Sequence, residues 1–495
     1  MNIASNLKNA AFYFADRCAV IEDDKIITFA QFNQDANRVA SALAGRGVQP
    51  GDYVALCAPN SYHWLAFYFG VLKTGAVAVT FSHLLMKNEL VKILKDCLPK
   101  VLFTSDEKRD DLNGIQIGPY PELIICEHGG ISFLGLTAEG ESEFKIVDRD
   151  RQDTAAILYT GGTTGIPKGA MLSHENIQNS TFNVAHYERS TETDRALCFL
   201  PLNHVFGQVH ITHATVYSAG GLIIQQAFDL EKAVDAIERH QITKFYAVPT
   251  IYIRLLAMQD LSERFKSIRY CFSAAASMAS EVVREWKTRT GLNIHESYGM
   301  TESAAMVTYN HYYRHIVGSV GTPIALVEVR IMDFEGKNLG PGEEGEICIH
   351  GPNITKGYLN NPEETKAAFR GKWYRSGDIG YFDEDGYLYI VDRLKDMIIT
   401  GGENVYPREV EEILYTRSEI QECAVVGLPD PEYGERVTAF IIPHKGRQPD
   451  FNDLKAYLKK HLAGFKVPKE FIIVDELPKN PAGKLLKREI KKQYT

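Results

Sequence analysis

The chain has 495 residues and a net charge of −9, which argues against a single hydrophobic core and against a general nucleic-acid surface. We expect about three domains, or one large and one small domain. No window reaches the ~18 uninterrupted apolar residues of a membrane span, and residues 1–17 lack the pattern of a secretory signal. The eight cysteines contain no CxxC pair, which favours buried free thiols in a reducing compartment and a cytoplasmic protein.

From residue 25 to 275, short β-rich runs alternate with amphipathic helical stretches. Residues 28–48 and 61–75 have the apolar spacing of helices, and residues 52–59 and 76–81 resemble buried strands. Repeated alternation of this kind predicts parallel sheets with helical crossovers.

After residue 316 the pattern changes to a strand meander, in which residues 383–386 (DEDG) predict a hairpin turn. A second α/β pattern then begins with a helix at Pro407. We therefore expect a domain boundary at 392–396. The basic residues of 479–492 are mixed with Glu489, which favours a solvated helix face.

Residues 159–177 (YTGGTTGIPKGAMLSHENI) form a glycine-rich loop after a predicted strand at 155–160 and before a helix capped by Ser173. We expect this loop to leave a sheet edge and return to a helix. Glycines allow close backbone approach, and successive exposed N–H groups form an anion-binding nest. It is not a Walker loop, because Gly169 follows Lys168 where a hydroxyl residue is needed. The set suits a polyphosphate, with predicted contacts from Thr160, Gly161, Gly162, Thr163, Thr164, Gly165 and Lys168.

The string YTGGTTGIPKG resembles the phosphate-loop signature of the adenylate-forming superfamily, which includes acyl-CoA synthetases, adenylation domains and luciferases. Further segments resemble the family's other motifs in the family's order: PLNHVFG (201–207), ESYGMTE (296–302), residues 374–398, GGENVYPREVE (401–411) and PKNPAGKLLKRE (478–489). The resemblance implies an α/β fold with a large N-terminal AMP-binding domain (1–392) of parallel or mixed sheets, helices and a β-barrel-like subdomain. It also implies a hinge (393–396) and a small, mobile α+β C-terminal lid domain (397–495).

Adenylation brings two anions together, a carboxylate and the α-phosphate of ATP, so the site must supply cations and oriented donors. The resemblance implies that Lys484 contacts both groups, although the bare sequence would make it a solvated surface lysine. It implies that Glu302 faces Mg²⁺ and that Thr301 contacts the α-phosphate. With His204, these residues are the predicted catalytic set.

Three further segments are implied to contact the nucleotide. Tyr298 is expected to stack on adenine, with core packing as the alternative. Asp378 and Arg393 are expected to contact the ribose, with a hairpin salt bridge as the alternative. The remaining predicted contacts are Ala275, Ala276, Gly299 and Met300. Residues 273–278 (SAAASM) depart from the family's pattern of glycine and proline, which leaves the shape of the pocket there open.

The predicted acid pocket is lined by apolar or aromatic residues: His204, Phe206, Tyr246 and Met306. His204 is assigned to positioning the substrate carboxylate and not to base catalysis, because that carboxylate is already ionised; a core or helix-start histidine is the alternative. Gly161 stands where many family members have serine, which favours an aliphatic acid.

A thiol must approach the adenylate from another direction than the departing pyrophosphate. The resemblance implies that the C-terminal domain swings about Lys395 between the two half-reactions. Gly401 and Gly402 lack side chains and would leave room for a narrow pantetheine arm.

We therefore expect an acid–thiol ligase that uses ATP and Mg²⁺ to join a hydrophobic acid, fatty or aryl, to coenzyme A. Two alternatives stay open: transfer to the phosphopantetheine of an acyl carrier protein, and a non-catalytic nucleotide or acyl-adenylate sensor. Amino-acid adenylation is disfavoured because residues 203–206 contain no aspartate for an ammonium group. Luciferase-like oxidation is unsupported because Gly401 stands where luciferases carry lysine.

Overall fold

The computed structural model describes residues 1–112, 121, 123–126, 128, 131–160, 167–276, 278–479 and 485–495. The first part alternates strands and helices as predicted: α1 (Ser5–Tyr13), β1 (Cys18–Glu22), β2 (Lys25–Thr28), α2 (Phe29–Gly45), β3 (Tyr53–Cys57), α3 (Tyr62–Lys73), β4 (Val77–Thr80), α4 (Lys87–Cys97), β5 (Val101–Thr104), α5 (Asp106–Leu112), β6 (Leu123–Cys126), β7 (Ile131–Ser132), α6 (Phe133–Glu139) and β8 (Thr154–Thr160). Local signals fix these bounds. Thr28 begins α2, since its hydroxyl accepts the Gln31 N–H and its own N–H donates to the Gln31 side chain.

The second part continues the alternation: β9 (Lys168–Ser173), α7 (His174–Tyr187), β10 (Arg195–Cys198), a π-helix (Phe206–His213), α8 (Ala214–Tyr217), β11 (Gly221–Ile224), α9 (Leu230–His240), β12 (Lys244–Ala247), α10 (Pro249–Leu255), α11 (Leu261–Arg264), β13 (Tyr270–Ser273), α12 (Ser280–Thr290) and β14 (Ile294–Glu296). The prediction that Ser173 caps α7 is confirmed, because its hydroxyl accepts the Asn176 N–H at 3.1 Å.

The expectation that the glycine-rich loop returns directly to a helix is wrong. The loop joins β8 to β9, which pair antiparallel with Thr160 opposite Lys168. Ala170 and Leu172 of β9 are fully buried, so the strand gains both a core face and hydrogen bonds along β8. Only the residues after Ser173 are helical.

Two seven-stranded sheets dominate the large domain, as the alternation predicts. The first has the order β7-β6-β5-β3-β4-β8-β9 and the second β14-β13-β12-β10-β11-β1-β2. Among the described pairings within these two sheets, only β8–β9 and β1–β2 are antiparallel. The sheets share one large core, in which the Tyr68 hydroxyl of α3 lies 2.9 Å from His213 Nε2 of the π-helix.

The β-rich part of the large domain follows: a 3-10 turn (Thr301–Ser303), β15 (Thr308–Tyr309), β16 (Thr322–Pro323), β17 (Glu328–Met332), β18 (Gly345–His350), α13 (Pro362–Ala368), β19 (Phe369–Arg370), β20 (Trp373–Phe382) and β21 (Leu388–Arg393). Strands β17 to β21 form a five-stranded antiparallel sheet, which is the part expected to be barrel-like. The predicted hairpin at 383–386 is confirmed between β20 and β21.

The C-terminal part has its own sheet and core: β22 (Ile398–Thr400), β23 (Glu403–Val405), α14 (Pro407–Tyr415), β24 (Ile420–Asp430), β25 (Gly434–Pro443), α15 (Phe451–His461), a 3-10 turn (Gly464–Lys466), β26 (Glu470–Ile473) and α16 (Lys487–Tyr494). The expected solvated basic face is wrong for Lys487, which lies 2.8 Å from Glu411, with both side chains largely buried. Carboxylates of this part neutralise the basic stretch, as Glu422 does for Lys479.

All eight cysteines are free and seven are buried, as the sequence predicts. Over the ranges that the structure describes, no helix combines the length and the apolar composition needed to cross a bilayer.

Candidate active site

The second sheet gathers three predicted motifs at one edge. Residues 201–207 follow β10, residues 273–278 begin at the end of β13, and residues 296–302 begin at the end of β14. Carboxyl ends of parallel strands share one edge of a sheet, where ligands of open α/β sheets bind. The topology therefore brings together segments that are about a hundred residues apart in sequence.

Side chains of the first sheet fix the 201–207 motif. Asn60, after β3, donates to the Leu200 carbonyl at 2.9 Å and accepts the Leu202 N–H at 2.8 Å. His204 accepts the Phe206 N–H on Nδ1 at 3.2 Å, so it acts at the start of a helix, as the alternative proposed. That helix is a π-helix, a rare form found often at functional sites, and it is not among the elements predicted from the sequence.

Gly299 allows the 296–302 motif to fold back on itself. A Cβ at this position would lie 1.6 Å from the Ala305 carbonyl oxygen, so no side chain fits. Ala304 and Ala305 have φ of 50° and 101°, which reverses the chain directly after the 3-10 turn. The turn presents Glu302 and buries Thr301, while Met300 donates its N–H to the Ser303 hydroxyl at 3.0 Å.

Glu302 is held from two directions beside the glycine-rich loop. Its Oε1 accepts the Tyr358 hydroxyl at 2.8 Å, and its carbonyl accepts the Thr355 N–H at 2.7 Å. Lys168 Nζ lies 5.5 Å from the centre of the Tyr358 ring and 2.5 Å from Glu364. The structure thus brings Glu302 and Lys168 together around Tyr358, which the sequence analysis did not identify.

The Glu302 carboxylate suits a magnesium ion that is shared with ATP. A carboxylate supplies the hard oxygen ligands that Mg²⁺ prefers, and this ion usually keeps only one or two protein ligands besides phosphates and water. Within the described ranges, no three His, Cys, Asp or Glu side chains form a metal cage. Glu302 would hold the ion, which neutralises phosphate charge when bound.

The β20–β21 hairpin places the predicted ribose contacts opposite each other. Asp378 pairs with Arg393 in the strand register, and Arg393 Nε lies 3.1 Å from Asp378 Oδ1. Tyr298 donates its hydroxyl to Asp378 Oδ2 at 2.6 Å. Burial and the neighbouring Asp378 raise the pKa of Tyr298, so the phenol stays protonated and keeps donating. The hairpin salt bridge, given as the alternative for Asp378, is therefore present.

We expect Asp378→Ala to weaken ATP binding about 100-fold, because two hydrogen bonds from ribose hydroxyls to a carboxylate contribute about 1.5 kcal/mol each. The measurement is ATP titration by calorimetry. Asp385→Ala is the matched control, since Asp385 lies in the same hairpin but pairs with exposed Arg314. Unchanged ATP affinity in Asp378→Ala would exclude the ribose assignment.

Four aromatic side chains pack beside the 201–207 motif, and we call them the aromatic cluster: Phe206, His210, Tyr246 and Phe272. The Phe206 and Phe272 ring centres lie 5.7 Å apart, and those of His210 and Phe272 lie 4.3 Å apart. Phe206 and Tyr246, both predicted acid-pocket residues, meet edge to face at 6.4 Å. Met306, the other apolar prediction, is fully buried.

Two members of the aromatic cluster, Tyr246 and His210, bond to a buried acid, Glu188. Glu188, at the end of α7, is fully buried and accepts the Tyr246 hydroxyl. His210 Nε2 lies 2.7 Å from Glu188, and Lys244 Nζ lies 3.1 Å from it. Burial raises the pKa of Glu188, but Lys244 and His210 lower it to about 2, so the carboxylate is ionised. No motif marks Glu188 in the sequence, since its partners are distant along the chain.

The predicted hinge lies in a turn between two sheets. β21 ends at Arg393 in the five-stranded sheet, and β22 begins at Ile398 in the C-terminal sheet. The Asp396 N–H donates to the Arg393 carbonyl at 3.0 Å, and exposed Lys395 occupies the third position of this turn. The Leu394 N–H donates to Gly377 at 3.0 Å.

The remaining predicted residues lie apart from these contacts or outside the described residues. Gly401 and Gly402 form the exposed turn between β22 and β23, with φ of 60° and 86°. Ala275, with φ of 70°, follows β13 and leads to exposed Ala276. The Thr160 hydroxyl donates to the Lys168 carbonyl at 3.4 Å. Outside the described residues lie Gly161, Gly162, Thr163, Thr164, Gly165 and Lys484.

A family model of AMP-binding enzymes matches residues 7–359, and a model of the AMP-binding enzyme C-terminal domain matches residues 409–484. A long-chain-fatty-acid–CoA ligase of Bacillus subtilis is 34% identical over 100% of this chain and 94% of its own. A feruloyl-CoA synthase of Amycolatopsis sp. is 35% identical over 96% of each chain. ATP-bound MatB from Rhodopseudomonas palustris has a TM-score of 0.93 and 35% identity over 100% of this chain and 99% of its own. Apo MatB has the same identity and coverage and a TM-score of 0.83.

The chain therefore belongs to the AMP-binding enzyme family of adenylate-forming ligases. The predicted fold class and the prediction of an AMP-forming acid–thiol ligase are confirmed. The enzyme uses ATP with Mg²⁺ to form an acyl-adenylate from a carboxylic acid and then forms a thioester with coenzyme A.

Proposed function

We propose that this ligase activates a compact hydrophobic acid, aryl or short-chain, and transfers its acyl group to coenzyme A. The aromatic cluster carries this proposal. Its rings pack beside the 201–207 motif that contains His204, and Phe206 and Tyr246 are 4% and 2% exposed. The ionised Glu188 behind them is costly to move, because a buried charge needs its partners Lys244 and His210. A short acid fits against this end, whereas a long chain would have to displace the charged group.

The site residues have complementary roles in adenylation. Asp378 and Arg393 hold the ribose, Glu302 holds the magnesium ion, and Lys168 binds phosphate beside the glycine-rich loop. Lys484 neutralises negative charge as the acid carboxylate approaches the α-phosphate. Pyrophosphate leaves as the bond between the carboxylate oxygen and the α-phosphorus forms. Oriented cations stabilise charge that develops in the transition state, which is the largest catalytic contribution in many enzymes. His204 orients the acid.

The related enzymes act on different acids, so a direct comparison of acids tests this proposal. ATP–pyrophosphate exchange is measured with benzoate, ferulate, hexanoate and palmitate. We expect benzoate, ferulate or hexanoate to support exchange at least tenfold faster than palmitate. The additional methylene groups of palmitate would not fit into a compact pocket without displacing its side chains. Palmitate as the fastest acid would refute the compact pocket.

Coenzyme A is the acceptor, as it is for the named relatives that are CoA ligases. The competing acceptor is an acyl carrier protein, which offers the same pantetheine thiol. Radiolabelled acid and ATP are supplied with either thiol. Rapid labelling of coenzyme A supports the proposal, and labelling of the carrier protein alone would assign the second function.

We also propose that residues 1–392 and 397–495 are two domains joined by a hinge at Lys395, and that the arrangement described here serves adenylation. The change of sheet between Arg393 and Ile398 supports the boundary. MatB supports the arrangement, since its ATP-bound form matches this chain better than its apo form does. Gly401 and Gly402 would then face the thiol after rotation. A cytoplasmic location, expected from the free cysteines, belongs to this proposal and is tested by cell fractionation.

A further inference from the structure

Helix α12 of the large domain is capped by a residue from the C-terminal domain. The N-terminal N–H groups of a helix have no partner within the helix and carry partial positive charge. Ala279 occupies the cap position of α12 and has no side-chain oxygen to offer. The Ser280 N–H instead donates to Glu412 Oε2 of α14 at 3.3 Å. A contact that completes one domain's helix is thus supplied by the other.

Arg408, also on α14, connects this helix of the C-terminal domain to the last strand of the large domain. Its backbone N–H donates to Asp392 Oδ2 at 2.9 Å, and its guanidinium donates to the Ile390 carbonyl. Both acceptors lie on β21, directly before the hinge. Arg408 Nε also lies 3.7 Å from Glu412 Oε1, one helical turn further along α14. Arg408 and Glu412 therefore act as one pair that contacts two elements of the large domain.

Glu296 of the large domain is a buried acid on which Arg408 and Glu412 act electrostatically. It ends β14, it is 5% exposed, and its Oε2 has no hydrogen-bond partner among the described residues. The charged groups that act on it are Arg408 and Glu412. Burial and the neighbouring Glu412 raise the pKa of Glu296, whereas Arg408 and a hydrogen bond with the Met278 backbone lower it, and the net pKa is about 8. Glu296 is therefore mainly protonated at neutral pH in this arrangement.

We propose that Arg408 and Glu412 form a latch that holds the C-terminal domain in the adenylation arrangement, and that Glu296 couples closure of the latch to uptake of a proton. This proposal rests on the proposed rotation about Lys395. Rotation carries α14 away, so the bonds to Ser280, Asp392 and Ile390 break together. Glu296 then faces water, where a glutamate has a pKa of about 4.3 and releases its proton to solvent.

The direction of the pH effect follows from these values. The pKa of Glu296 is higher with the latch closed than with it open, so closure binds a proton between about pH 4.3 and pH 8. Rising pH through this interval therefore favours the open arrangement. The rate of adenylation should therefore fall relative to the rate of thioester formation as the pH increases from 6 to 8.

The latch is tested by measuring the half-reactions separately with the fastest of the four panel acids. Pyrophosphate exchange reports adenylation, and consumption of the chemically prepared acyl-adenylate by coenzyme A reports thioester formation. We expect Glu412→Ala to slow exchange about fivefold, as expected for a lost helix cap, and to leave thioester formation unchanged or faster. Glu281→Ala is the matched control, because Glu281 lies in the first turn of α12 but pairs with Arg284 of the same helix.

The proton coupling is tested with Glu296→Gln, which keeps the shape and removes the titrating group. We expect the ratio of exchange to thioester formation to fall between pH 6 and 8 in the parent and to stay flat in Glu296→Gln. Equal slowing of both half-reactions by Glu412→Ala would refute the latch, and an unchanged pH slope in Glu296→Gln would refute the coupling. Absence of exchange with every acid in the parent would instead refute the proposed function.

Discussion

Lys484→Ala is expected to slow adenylate formation about 1000-fold, the effect of removing one charged donor aimed at the transition state. The flanks of its loop are fixed to the C-terminal domain. Lys479 and Leu485 form an antiparallel backbone β-bridge, and the Leu486 N–H donates to the Pro478 carbonyl at 2.8 Å. Lys487 forms an ion pair with Glu411 of α14. Under the proposed rotation about Lys395, those flanks would move with the domain and carry Lys484 into or out of the site. The measurement is ATP–pyrophosphate exchange.

Lys492→Ala is the control for Lys484→Ala. Lys492 lies on the following helix, α16, and forms an exposed pair with Glu489, so its loss should leave exchange within twofold of the parent. Thioester formation from a supplied acyl-adenylate should survive in Lys484→Ala, because no carboxylate then has to approach a phosphate. Exchange at the parental rate in Lys484→Ala would remove the electrostatic basis of the proposed mechanism.

Lys395→Pro is expected to slow thioester formation about 100-fold while adenylation falls only a few-fold. Proline locks φ near −65° and restricts the preceding residue, so it opposes the backbone rotation that a hinge needs. The smaller loss in adenylation has a separate cause. Lys395 is the third residue of the turn from Arg393 to Asp396, where proline is disfavoured in the common type I turn.

Both half-reactions of Lys395→Pro are measured as described for the latch, with Lys395→Ala as the control. Alanine removes the exposed side chain but leaves the backbone free to rotate. Lys395→Ala should therefore keep the parental ratio of the two rates. Equal loss of both half-reactions in Lys395→Pro would show that the substitution disturbs the fold and not a rotation.

Local signals made much of this fold predictable. Ser173 and Thr28 begin helices because their hydroxyls cap nearby N–H groups, and the turn at 383–386 joins two strands because its residues favour reversal. The phosphate site at the glycine-rich motif stays a prediction of the same local kind, because its chemistry lies within a few consecutive residues. The family resemblance then supplied roles that no local pattern contains, such as that of Lys484.

Features that depend on distant partners were not predictable. Strand β9 exists because β8 offers a free edge, and its residues 168–173 have no strong strand pattern alone. Glu188 is ionised and buried only because Lys244 and His210, far along the chain, converge on it. The contact between Ser280 and Glu412 spans 132 positions. Each is a tertiary effect that overrides what the local sequence indicates.

The register between Asp378 and Arg393 limits how the molecule can vary. Successive side chains of a strand point to opposite faces, so a shift by one residue moves each of them to the other side of the sheet. Inserting or deleting a single residue at 383–386 would thus separate Asp378 from Arg393, the two proposed ribose contacts, and would also rotate the start of the linker. The turn should tolerate the insertion or deletion of two residues together but not of one. Many substitutions that keep its length should be harmless.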